Sequence, residues 1–304
     1  MGIALGLAAG LCFSVASILA RFGMRQRTRD DGLFMSIFVN LLVLGTLTVM
    51  ADLPAWSTEG VVALAVGGVL GTFGGRATNL RAVRIIGPSR ANAFLTGGPL
   101  VAALGGWIVL GERISILGGI GGALVLSGLY RIIRSRSSAA VAVATSGTAT
   151  GAQPEPAHDP SLGFALAMAA PVLFGLAFVV RKWGLDLFPS AVGGAFIGAA
   201  AAMTIQVVGD AVTGKVGRRM GENIQQIPWW FVGAGAFTSA ALVAQFFAFE
   251  YLPAWVVSLL QGTQVLWTLL LASLVMRQEE RIDRSLIVSV ALVFVGVAAI
   301  TSQY

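Results

Sequence analysis

Apolar stretches of about twenty residues alternate with short polar ones along almost the whole chain. At 1.5 Å per residue such a stretch crosses a hydrocarbon layer of about 30 Å as a helix. Ten can be marked, at about 2–21, 33–51, 60–82, 88–110, 115–133, 162–182, 190–212, 228–250, 254–276 and 285–302. Only Arg84 to Gly87 separate the third from the fourth, and only Tyr251 to Pro253 the eighth from the ninth, so those two hairpins are tight. The pattern predicts an all-α integral membrane protein of ten transmembrane helices.

Residues 134–161, RSRSSAAVAVATSGTATGAQPEPAHDPS, carry too little large apolar surface for a core and read as a flexible polar linker. They divide the chain into residues 1–133 and 162–304, five spans each. The halves align. Leu110 to Gly128 falls on Gln278 to Gly296, matching Glu112-Arg113-Ile114 with Glu280-Arg281-Ile282. Phe13 to Gly23 falls on Phe174 to Gly184, and Asn79, Ala82 and Arg84 fall on Gln245, Ala248 and Glu250. An odd number of helices per repeat sends the second half into the membrane from the opposite side, so two inverted five-helix repeats are expected, with a site near the midplane between them.

Two five-helix repeats, each with an E-R-hydrophobic turn before a Gly-rich fifth helix, resemble the EamA-type transporters of the drug/metabolite transporter superfamily. The resemblance covers nearly the whole chain outside the linker. It implies transport of a small metabolite or drug-like solute without ATP hydrolysis, and no cofactor. One departure is Gln264-Val265 in the second repeat where the first has Gly98-Pro99.

Only 11% of residues are charged, against roughly 25% in soluble domains. The net charge of +6 lies in loops between apolar runs, which excludes nucleic acid as a partner and leaves membrane lipids and a small-molecule substrate. The chain has one cysteine, Cys12, in an apolar run, and one histidine, His158, in the linker, a composition that argues against zinc sites and histidine-dependent catalysis. Met1 leads directly into apolar sequence, so the first run reads as a retained helix. Loops 1, 3, 5, 7 and 9 hold 16 Lys and Arg residues; loops 2, 4, 6 and 8 hold three, Arg113, Arg181 and Lys182. By the positive-inside rule both termini face away from the cytoplasm, here of a bacterial inner (plasma) membrane. The resembled superfamily implies the opposite orientation. Monomer and homodimer are equally open.

A polar side chain inside a span is expected to face the bundle interior. The third and fourth spans offer Arg76, Asn79, Asn92 and Thr96, alongside Thr72; the eighth and ninth offer Gln245, Ser258, Gln261, Thr263 and Gln264, alongside Thr238. These are the candidate substrate-binding residues, joined by Trp267, the one aromatic site candidate, which sits well inside its span. For each, interhelical hydrogen bonding is the plainer role. Thr96-Gly97-Gly98-Pro99 predicts a kink, with Gly97, Gly98 and Pro99 as a candidate hinge. The remaining arginines of the third loop, Arg81, Arg84 and Arg90, read as boundary charges, and Glu112-Arg113 and Glu280-Arg281 as local turn pairs.

No acid sits at the centre of a span, which favours facilitated transport or exchange over strong proton coupling. The first reading is therefore a secondary transporter working by alternating access. The alternatives are a carrier or flippase for a phosphorylated or anionic amphiphile using Arg76, and a non-transporting membrane scaffold or receptor subunit. An intramembrane enzyme lacks its nucleophile, base or paired acids.

Overall fold

A computed structural model describes residues 1–26, 33–86, 91, 94–145, 160–214, 229–276 and 284–303. Among these the regular structure is helical: α1 (Gly2–Gln26), α2 (Leu33–Val49), α3 (Thr58–Gly68), a π-helical segment (Val69–Gly75), α4 (Arg76–Ile86), α5 (Gly98–Leu110), α6 (Ile116–Thr145), α7 (Pro160–Leu187), α8 (Ala191–Val212), α9 (Trp229–Tyr251), α10 (Ala254–Gly262), α11 (Gln264–Met276) and α12 (Arg284–Thr301). Every apolar run holds helical residues among those described. Gly2–Ala20, Thr58–Ala82, Ser161–Leu187, Ala191–Val212 and Trp229–Tyr251 are long and apolar enough to cross a bilayer; α2, α5, Ile116–Arg131 and Val288–Ile300 are shorter apolar helices. Large side chains such as Leu104, Trp107, Ile108, Phe294 and Val295 are exposed over more than half their surface. An apolar belt of that kind suits lipid, not water.

The packing exchanges into itself when the repeats are swapped. Helix α1 lies along α9 and the α10–α11 pair, and its counterpart α7 lies along α3–α4 and α5. Helix α2 packs on α8 and α9, and α8 on α2 and α3; α6 pairs with α12. Glycines set the closest crossings. A Cβ on Gly121 would stand 2.8 Å from the Gly296 carbonyl oxygen, and one on Gly128 2.7 Å from that of Ser289. The Leu110 to Gly128 alignment pairs Gly128 with Gly296 and Gly121 with Ser289, so these two contacts are images of each other. The repeats therefore interleave, each first helix packing into the other half.

Three departures from the sequence reading have physical causes. Helix α6 continues to Thr145, twelve residues into the stretch read as linker. Its residues Arg134 to Thr145 contain no glycine or proline and are rich in alanine, the best helix former. The third span changes from α to π geometry at Val69–Gly75 and back at Arg76. Three of those seven residues, Gly71, Gly74 and Gly75, have no side chain to resist the wider turn. The ninth span breaks at Thr263 although it lacks the proline of the fourth. Thr263 N–H turns back to Leu260 O at 3.1 Å and its hydroxyl donates to the same oxygen at 2.6 Å, a local bond that competes with the helix ladder.

The two ends of the bundle are unequal. Toward the termini and the even-numbered loops, Leu64, Leu185, Phe188, Phe249, Leu252 and Trp255 belong to one buried apolar cluster. Toward the odd-numbered loops, Phe73, Arg76, Asn79, Phe94, Thr96, Gln261, Gln264 and Trp267 are only half-buried.

Candidate functional site

The predicted break in the fourth span is present, and the ninth span has an equivalent one that the sequence did not predict. In the fourth span Thr96-Gly97 form a turn, and Gly98-Pro99 start α5 with proline in its first turn, where the missing N–H costs nothing. Leu100 N–H bonds to Gly97 O at 3.1 Å, and Leu266 N–H to Thr263 O at 2.8 Å. The alignment that pairs Asn79 with Gln245 pairs Gly97 with Thr263 and Leu100 with Leu266. Each break leans on the first helix of the other repeat. Ser14 of α1 donates to Gln264 O at 2.7 Å beside Gly10, and a Cβ on Gly175 of α7 would lie 2.6 Å from Gly98 O. Half-helix ends exposing unpaired backbone groups near a midplane are suited to hold a polar solute.

The other candidates separate. Asn79, Thr96, Gln261, Gln264 and Trp267 lie half-buried around the breaks. Arg76 opens α4 and donates through Nη2 to Ser36 Oγ of α2 at 3.1 Å. Thr263 is buried at the break, and Ser258 is buried in α10 away from it. Gln245 is fully buried, with neither Oε1 nor Nε2 hydrogen-bonded; an unmade bond there costs about 1–3 kcal/mol. The Oδ1 of its repeat partner Asn79 is likewise without a partner. Asn92 lies outside the described residues.

One charged side chain was misplaced by the sequence reading. Arg181, counted as a loop charge, is 6% exposed inside α7. Removing it leaves the Lys/Arg balance at 16 against two. Helices α3 and α7 run antiparallel, with Gly60 against Leu187 and Phe188, Gly67 against Arg181 and Gly75 against Phe174. Side chains on a helix tilt toward its N-terminus, and for Arg181, six residues from the end of α7, that direction leads inward. Its stem lies along Gly67 and Gly71, where added Cβ atoms would come within 2.7 Å of Cγ and 2.8 Å of Nη2. Nη2 donates to Thr72 Oγ1 at 2.8 Å, and the guanidinium carbon stands 6.0 Å from the Phe246 ring centroid. Thr72 is the midpoint of the continuous helical stretch from Thr58 to Ile86. Among the described residues no carboxylate pairs with Arg181. A charge at that depth costs about 2.5–3.5 kcal/mol on insertion scales, which one hydrogen bond and one cation–π contact only partly offset.

Glu112 is also more than a turn residue. Gly111, at φ 66°, ends α5 in the left-handed conformation, and Glu112 N–H closes back on Gly106 O at 3.1 Å, a Schellman arrangement. This aims Glu112 Oε1 at the start of α10, where it accepts Ala254 N–H at 2.7 Å. Loop 4 of the first repeat thereby caps a helix of the second. Burial pushes the carboxyl up from its ordinary value, against the lowering pull of the Ala254 and Trp255 amides. The corresponding Glu280 lies outside the described residues. A notch between α3 and α7, lined by Thr58, Glu59, Val62, Ala63, Val66, Val180 and Trp183, is apolar, opens outward and holds none of the candidates.

Apolar helices, an exposed apolar belt and polar groups gathered within define a multi-pass integral membrane protein. Residues 1–134 and 161–302 both match the EamA-like transporter family, and the chain belongs to that family. No curated protein matches it. A solved structure described only as the crystal structure of a protein superposes with TM-score 0.68, over 99% of this chain and 96% of its own, at 16% identity; that likeness concerns the fold alone.

Proposed function

We propose that the protein is a secondary transporter moving a small solute by alternating access, built as two inverted five-span repeats with the site at the two helix breaks. The observation that carries this is the equivalence of the Thr96-Gly97 and Thr263 breaks, each seated on the first helix of the other repeat. Rocking one repeat against the other would move both breaks together. The unequal ends support a resting state closed at the even-numbered loops and looser at the odd-numbered ones. By the positive-inside rule the Lys/Arg distribution favours an extracytoplasmic closed end.

Locking that end tests the reading. A Cβ on Gly60 would stand 3.1 Å from Leu187 Cβ across the repeats, near disulfide range. With Cys12→Ser to remove the native thiol, oxidised Gly60→Cys/Leu187→Cys protein in proteoliposomes is expected to lose solute uptake and to regain it on reduction. Full uptake with the cross-link confirmed by mass would overturn alternating access at this end.

A further inference from the structure

Resting on that reading and naming its substrate class, we propose that Arg181 is the solute-recognition charge and that the solute carries an oxyanion, a carboxylate or a phosphate. Three observations converge on it. The guanidinium is covered at mid-depth and has no carboxylate partner among the described residues, so they hold a cation without supplying its complement. Its position is constructed from both repeats: Thr72 and the Gly67/Gly71 groove come from the first, the arginine and Phe246 from the second. A group joining the two repeats feels any rearrangement between them. It also stands where the packing changes character. From Phe73 to Leu80 the third span is half-buried at every residue but Gly75, whereas Gly71 and Thr72 are buried; in α7, Leu173 and Phe174 are half-buried, whereas Ala177 to Val179 are buried. Arg181 reaches back to that boundary from the packed side, at the inner end of the half-open polar region.

The guanidinium fork has five N–H donors and matches two oxygens of a carboxylate or phosphate at once. One donor is used on Thr72. Arg76 begins four residues beyond Thr72, directly after the π segment, so a second guanidinium borders the same turn of the third span. A buried guanidinium at Arg181 with no acid beside it among the described residues selects against cationic cargo.

The test is uptake into proteoliposomes of a mixed panel of carboxylates, phosphate monoesters, neutral polyols and amines, read by mass spectrometry. Wild type is compared with Arg181→Lys and Arg181→Gln at matched, monodisperse protein. Wild type is expected to accumulate an anionic class, the carboxylate and phosphate arms saying which. Arg181→Lys, which keeps charge but loses the fork, raises KM roughly tenfold while kcat changes less, and Arg181→Gln abolishes anion uptake. If Arg181→Gln fails to fold, the lysine variant decides: an unchanged KM for the anion overturns the assignment. Wild-type uptake confined to neutral or cationic solutes overturns it too and leaves the transporter reading standing. No uptake of any class by wild type defeats the transporter reading and this one with it.

Discussion

The crossing of α7 with the third span and that of α1 with α9 are repeat equivalents, yet they are furnished differently. In the first, Arg181 lies along Gly67 and Gly71, bonded to Thr72 beside a π-helical turn. In the second, the aligned residues are Ala20, Gly233, Phe237 and Thr238; α9 runs without a π segment, and Thr238 turns its hydroxyl back to Ala234 O at 2.7 Å. Duplication explains what the crossings share, the antiparallel approach over small residues and the central threonine. What they do not share is one buried cation with the space cleared for it. A feature found in only one repeat is not needed to build the fold, because the other repeat builds the same crossing without it.

The largest effect is expected beside the first crossing, where the third span also meets α8. A Cβ on Gly68 would collide with the Gly198 backbone; Gly68→Val is expected to cost more than the roughly 1–3 kcal/mol of ordinary overpacking, seen as loss of the monodisperse peak in size-exclusion chromatography. Next comes the contrast between crossings. Gly71→Ala pushes on Arg181 Nη2 and on Ala177 Cβ at 2.9 Å, for about 1–3 kcal/mol, whereas Gly233→Ala meets only Leu19 Cδ1 at 3.2 Å and should cost under about 1 kcal/mol in the same unfolding assay. Equal costs would erase the distinction. Arg181→Met is expected to hold stability within about 1 kcal/mol of wild type or above it, since an apolar chain replaces a desolvated charge, while transport is lost. Pro99→Val gives the fourth span the residue of the ninth and should leave the break in place, for less than about 1 kcal/mol and no gain in helical circular dichroism.

The smallest effect concerns Glu112. Its folded pKa is raised, so the native state binds its proton more readily than the unfolded chain does. Its contribution is therefore fully present below the ordinary carboxylate value and is lost as pH rises from there through the raised folded value. Tm of wild type minus that of Glu112→Gln is expected to fall with rising pH across that window. A difference independent of pH would remove the buried-carboxylate account.

The helical membrane character and the duplication were legible because a bilayer dictates helix length and because glycines at crossings, such as Gly128 and Gly296, are hard to replace. Breaks were legible only where proline marked them: Thr96 to Pro99 signalled one, while Thr263 gave no composition cue and was found by its hydrogen bonds. Arg181 was misread because a charge beside Lys182 near a span end looks like a boundary charge. Lys182 does behave so, reaching Asp186 at 2.5 Å. The two signals present were helix direction, which points residue 181 inward, and its alignment with Ala20. Glu112 escaped because its partner, Ala254, is 142 residues away.

The central claim is that one interior site faces each side of the membrane in turn, and Thr72 marks that site. In a Cys12→Ser background, Thr72→Cys protein of known orientation in sealed vesicles is treated with a membrane-impermeant thiol reagent from one side and then the other. The account predicts labelling from both sides, with extracytoplasmic labelling abolished by the Gly60→Cys/Leu187→Cys cross-link formed before Thr72→Cys is probed. Labelling from one side only, or two-sided labelling that survives the cross-link, would contradict it.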